Sequence, residues 1–212
     1  MTVDQLLERY VAALGGRRAI EAVRTRVSRG FLVNPSGQKA PLEIYEKAPD
    51  RFRIVMDVPA GRSENGFDGS VAWTRQPQTA AEERPIADVA FVIREHRLDR
   101  PLVMRTLYAH LRVVGWRVLD GRDVIVLEAA GADSIVESWS FDARTWLPVK
   151  MEMTIKNTSL QTWFEDSRRV GGVKVPFRIR RARPDFAWTN EFTLIEHNVP
   201  LDDRQFAKPG AP

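Results

Sequence analysis

The 212-residue chain contains no cysteine, which excludes disulfides, thiolate metal sites, cysteine nucleophiles and a lipid-anchoring cysteine within it. It has three histidines, His96, His110 and His197, and none shows the His-x-His or His-x-x-x-His spacing of a zinc site. They read as surface or helix-end residues, and no metal or cofactor is expected. Long hydrophobic runs are missing too: no stretch approaches the roughly 20 apolar residues of a membrane-spanning helix. The opening MTVDQLLERY lacks the basic start and apolar centre of a secretory signal, so the chain reads as cytoplasmic or as a mature form without its signal sequence. Catalytic signatures are equally scarce. There is no Gly-x-Ser-x-Gly elbow, no glycine-rich phosphate loop before a helix and no dinucleotide fingerprint. The expectation is a non-enzyme with no catalytic residue. No Pro/Ser/Gly-rich linker divides the chain, which argues for a single domain, 1–212, large enough to bury a core.

What the chain does have is arginine. Lys and Arg number 32 against 28 Asp and Glu, a formal charge of +4. Arg24, Arg26 and Arg29 cluster near the N-terminus, and Arg168, Arg169, Arg178, Arg180, Arg181 and Arg183 near the C-terminal strands. Such clusters fit a solvated outer sheet face, or a patch for phosphates or anionic membrane. No nucleic-acid partner is expected.

Period-two alternation dominates the rest. In 41–75, Leu42 and Ile44, then Phe52, Ile54, Met56 and Val58, then Val71 and Trp73 alternate with mostly polar residues, so one strand face seeks a core and the other water. Breaks fall at Ala48-Pro49-Asp50, Pro59-Ala60-Gly61 and Asp68-Gly69, the last a hairpin signal. Asp68 is therefore read as a turn residue and not as a catalytic acid. Residues 2–14 carry Leu6, Leu7, Tyr10 and Leu14 at helical spacing, with Thr2 or Asp4 as cap and Gly15-Gly16 as stop; a second helical piece covers 17–23. Residues 76–85 read as a loop, followed by helices over 85–97 and 101–111, Pro101 opening the second. Strands then resume over 113–119 and 124–128 around Asp120-Gly121, and over 135–141, 147–156, 160–170, 173–183 and 187–198. Glu165 and Asp166, adjacent on a strand, cannot form a carboxylate dyad; Glu165 is free to pair with a neighbouring arginine.

The fold class is mainly β: a strongly curved, unclosed antiparallel barrel of about 11 strands, with the N-terminal helix and helical insert capping the concave side. So many strands enclose more space than inward side chains fill, which leaves helices to plug it or an apolar cavity for a ligand. The residues expected to line that cavity are Ile44, Phe52, Ile54, Met56, Trp73, Leu107, Trp139, Phe141, Met151, Met153 and Phe192. Taken singly, each fits plain core better than a ligand contact.

Several segments together resemble the outer-membrane lipoprotein-sorting proteins, the LolA/LolB-like superfamily. They are Leu14-Gly15-Gly16, Tyr45-Glu46-Lys47-Ala48-Pro49, Gly66-Phe67-Asp68-Gly69 with Val71-Ala72-Trp73, Phe141-Asp142-Ala143-Arg144-Thr145, Glu165-Asp166-Ser167-Arg168, Gly172-Val173-Lys174-Val175-Pro176, and Asn198-Val199-Pro200 with Phe206 and Pro209. The resemblance implies a periplasmic carrier whose cavity takes a lipid or the acyl chains of a lipoprotein, with an envelope protein as a second class of partner. An interaction module on the same fold, its core filled by its own side chains, is the alternative.

Overall fold

The computed structural model describes residues 1–133, 135–155 and 157–210. Its alternating segments form thirteen strands: β1 Thr25–Val33, β2 Lys39–Lys47, β3 Arg51–Val58, β4 Gly61–Phe67, β5 Ala72–Arg75, β6 Glu82–Arg84, β7 His110–Leu119, β8 Arg122–Ala130, β9 Val136–Asp142, β10 Pro148–Ile155, β11 Thr158–Val170, β12 Val173–Ala182 and β13 Ala187–His197. Four α-helices accompany them: α1 Val3–Leu14, α2 Arg17–Glu21, α3 Ile86–Glu95 and α4 Arg100–Leu107. The sheet is antiparallel and unclosed, in the order β6-β5-β4-β3-β2-β1-β13-β12-β11-β10-β9-β8-β7. Thirteen strands exceed the expected eleven. One of them, β6, lies in the stretch expected as a loop, where it pairs Glu82 to Arg84 with β5. The second helix of the insert ends at Leu107 and not at 111, because His110 and Leu111 pair with Ala130 and Ala129. Helical spacing from Leu107 to Leu111 loses there to ladder hydrogen bonds. Lys156, the expected end of the strand over 147–156, lies outside the described residues.

The described residues gather into two compact units: Met1–Ile20 with Pro101–Thr189, and Glu21–Arg100 with Asn190–Pro212.

In the first unit α1 begins with a capping box, Thr2 and Gln5 exchanging side-chain-to-backbone hydrogen bonds. Its buried stripe is Leu6, Leu7, Tyr10 and Leu14, and the Tyr10 ring meets Phe141 edge-on, centroids 5.1 Å apart. The helix stops at Gly15, whose φ of 133° suits glycine; a Cβ there would sit 2.2 Å from the Gly172 carbonyl oxygen. Across the strands the register aligns Val113, Leu127, Trp139, Met151, Thr162 and Arg181 on one face. That face is the one α1 covers.

In the second unit the register aligns Glu46, Phe52, Phe67 and Ala72 on one face. Helix α3 lays Val89, Val92 and Ile93 against Phe52, Phe67 and Ala72. The opposite face carries Tyr45, Arg53, Gly66 and Trp73 in line.

Candidate functional site

In the first unit, Trp139, Phe141, Met151 and Met153 are buried together on the helix-covered face, as alternation along β9 and β10 requires. Trp139 stacks between Phe141 and Phe164, at 6.2 and 5.8 Å between centroids. Leu107, on α4, is partly buried. Two polar groups stand among these side chains. Glu137 is fully buried and accepts hydrogen bonds from the Tyr108 hydroxyl at 2.6 Å and the Trp139 indole N–H at 3.0 Å. Thr162 is only 1% exposed, between Met151 and Arg181 in the register, and its hydroxyl has no hydrogen-bond partner among the described residues.

In the second unit, Ile44 and Phe52 are buried, and Ile54 and Met56 are half-buried on the same face. Phe192 is buried on β13. Glu46 continues this face as its charged member. It is buried, held by a two-pronged ion pair from Arg26 and by a hydrogen bond from His96 Nδ1 at 2.9 Å. Burial alone would push the Glu46 carboxyl up. The Arg26 charge, the hydrogen bond from His96 and the Arg26 fork outweigh it and hold the group down at about 2. His96, the residue ending α3, stacks on Phe52 with centroids 4.6 Å apart. It is a helix-end residue as expected, yet buried and not on the surface.

Trp73 is placed apart from the other expected cavity residues of its unit. Ala72 shares the α3-covered face with Phe52 and Phe67, so its neighbour Trp73 must point to the other side. There the ring lies over Gly66, where a Cβ would come within 2.5 Å of the indole, and its N–H donates to the Phe206 carbonyl at 2.8 Å. The segment around Phe206 straps this face: Lys47 and Arg51 reach Asp203 at 2.6 and 2.7 Å, and Lys47 also donates to the Leu201 carbonyl. Hydrogen bonds from Lys47 and then Arg51 hold the Asp203 carboxyl below the usual carboxylate range. Beneath the strap, buried Glu64 takes Arg53 at 2.7 Å and Arg75. Alternation reveals that Trp73 faces one side of a strand, but not which side carries helices and which carries the chain end.

The arginines divide in the same way. Arg178 is exposed and Arg180 half-buried, and they share Glu165, each at 3.4 Å, as the outer-face reading expects. Arg180 also lies 3.7 Å over the Trp163 ring. Arg26 and Arg181 instead belong to the helix-covered faces, a correction to that reading. The buried glutamates were missed in the sequence, although a signal was present. Leu42-x-Ile44-x-Glu46 and Glu137-x-Trp139-x-Phe141 each put the glutamate in phase with apolar residues, which commits it to the buried face. Asp68 forms a hairpin turn, its carboxylate accepting from the N–H groups of Ser70 and Val71, both at 2.8 Å. Among the described residues, no group of three or more His, Cys, Asp or Glu is placed to hold a metal ion. No described helix is long and apolar enough to cross a membrane.

No protein-family model and no curated protein matches the sequence. Solved structures do match in fold. A DUF1329 family protein from Desulfovibrio piger aligns over 97% of both chains with a TM-score of 0.67 at 15% identity. A domain assigned to outer membrane lipoprotein sorting from Vibrio parahaemolyticus aligns over 98% of both chains, with a TM-score of 0.67 at 12% identity. A LolA superfamily protein from Nitrosomonas europaea aligns over 98% of both, with a TM-score of 0.62 at 15% identity. The chain thus has the LolA-like fold, the one its sequence segments resemble.

Proposed function

We propose that the protein is a non-catalytic carrier of the cell envelope that holds the acyl chain of a lipid or lipoprotein against its helix-covered apolar faces. It would act as one domain, 1–212, since the similar structures align with it end to end. The observation that carries the reading is the face of Trp139, Phe141, Met151 and Met153 with the unpartnered Thr162 hydroxyl among them. Methionine and aromatic side chains adapt to flexible apolar guests. A buried hydroxyl without a partner is costly, and an ester or amide carbonyl at the head of an acyl chain would complete it. Each methylene taken from water contributes about 0.8 kcal/mol, so ten give about 8 kcal/mol before the cost of ordering the chain. No charged anchor is needed.

The His96–Glu46 pair has the outline of a catalytic base with its orienting acid. Among the described residues no hydroxyl bonds the imidazole, and Arg26 grips both oxygens of Glu46, which suits an anchor for α3 better than a proton shuttle. The deep burial of Trp139, Phe141 and Met151 favours a second reading, in which the core fills itself and the fold serves to dock an envelope protein. Native mass spectrometry before and after organic extraction separates the two. A mass excess recovered as lipid supports the carrier. No excess, with no uptake of added fatty acid or phospholipid, overturns it in favour of the docking module.

A further inference from the structure

Strand β7 ends the sheet order, so one of its sides is hydrogen-bonded to β8 and the other has no strand beside it among the described residues. Natural edge strands are usually blunted by charge, by proline or by a covering element. Part of β7 is blunted in this way. Arg112 is ion-paired with Glu128, and a register shift between Val113 and Gly115, whose φ is 132°, bends the first half of the strand. The second half, 115–119, carries a single charge, Arg117, whose guanidinium turns back onto the Trp116 carbonyl, and leaves two apolar side chains in the open. Trp116 is 58% exposed and Val118 is 72% exposed, and as positions i and i+2 they form an apolar stripe on one face of the edge. The Trp116 indole N–H has no partner among the described residues. Arg117, on the other face, donates only to the Trp116 carbonyl, at 2.8 Å, and has no carboxylate partner among the described residues.

We propose that residues 115–119 of β7 are a docking edge for an extended peptide of a partner protein, which joins the sheet as a further strand. The peptide would set apolar side chains at alternate positions beside Trp116 and Val118, with an acidic side chain beside Arg117. Main-chain hydrogen bonds supply affinity in this mode of recognition and alternate side chains supply specificity. Charge also disfavours a second copy of this chain in the register centred on Arg117. Two β7 edges paired antiparallel about Arg117 would bring their guanidinium groups face to face, and like charges directly opposite destabilise a strand pair. Asp120 and Asp123 stand at the hairpin end of β7 and β8, Asp123 opposite Val118 in the register, so the acidic residue belongs beside Arg117 and not beyond Val118. The inference rests on the sheet edge and is independent of what the apolar faces hold.

The test uses the full chain and two synthetic probes, acetyl-Val-Glu-Val-Glu-Val-amide and the same peptide with Lys for Glu. Amide resonances of 115–119 and Trp116 fluorescence are followed during titration. The expected result is shifts confined to β7 and β8, with the Glu peptide binding at least tenfold more tightly. Arg117→Glu should reverse that preference, and Val118→Lys, at an exposed position that leaves the fold intact, should weaken binding at least tenfold. Equal affinity for both peptides, shifts elsewhere in the sheet, or unchanged binding by Val118→Lys would overturn the proposal. So would self-association in sedimentation experiments that Val118→Lys abolishes, which would make the edge a self-interface. Binding to anionic phospholipid vesicles that depends on Trp116, without peptide binding, would overturn it likewise.

Discussion

Replacing Glu46 by glutamine removes a carboxylate that ties β1, β2 and the end of α3 together. Arg26 and His96 both converge on it, and all three elements belong to the second unit. Its folded pKa of about 2 lies below the ordinary glutamate value of 4.5. A depressed carboxylate contributes stability that is fully present above the unfolded pKa and is lost as pH falls through the folded one. For Glu46 that window runs from about pH 4.5 down to about pH 2, and the contribution is roughly 3 kcal/mol. At neutral pH, breaking a buried pair by neutralising one partner costs roughly 3–5 kcal/mol, a large share of the ~5–15 kcal/mol that holds an ordinary domain. Urea unfolding of the wild type and Glu46→Gln at pH 7, 5, 3 and 2 measures both quantities. The wild type should be the more stable at pH 7, and the two stability curves should converge towards pH 2 as its advantage titrates away. Parallel curves across pH 5 to 2 would refute the assignment of a depressed, ion-paired Glu46.

Three further substitutions probe the packing described above. Gly66→Ala forces a Cβ to within 2.5 Å of the Trp73 indole and should cost about 1–3 kcal/mol, measured as a lowered urea midpoint; combined with Trp73→Phe, the loss should be less than additive, and strict additivity would deny the contact. Trp73→Phe alone removes the donor to the Phe206 carbonyl, so amide hydrogen exchange and protease cleavage should rise in residues 200–206, and unchanged exchange there would show that the strap does not depend on this bond. Tyr108→Phe takes one hydrogen bond from buried Glu137 and should cost about 1–3 kcal/mol with an unchanged denaturant slope; a neutral result would mean that the remaining partners of Glu137 suffice.

The strands, turns and α1 were legible because each is a local matter. Period-two alternation names a strand whatever it later pairs with, Asp-Gly and Gly-Gly name a turn, and Thr2 with Gln5 names a helix start before any core exists. The LolA-like fold was legible for a related reason, since the segments that resemble it are turn and strand-end motifs, which are local as well. Two misreadings arose where local and tertiary preferences compete: His110 and Leu111 continue a helical spacing but pair with β8, and the polar stretch Glu82–Arg84 becomes a strand through β5.

The sequence by itself determined which residues alternate into a buried face, and so committed Trp139, Phe141, Met151 and Met153 to one side together. Only the tertiary structure decided what covers each side. Trp73 and Ala72 are neighbours in sequence, yet one lies beneath the C-terminal strap and the other beneath α3, because the covering element of each face comes from a distant part of the chain. The same holds for Glu46 and Glu137. Their phase marked them as buried, but a buried carboxylate is tolerable only with partners, and Arg26, His96 and Tyr108 are brought to them from 20, 50 and 29 residues away.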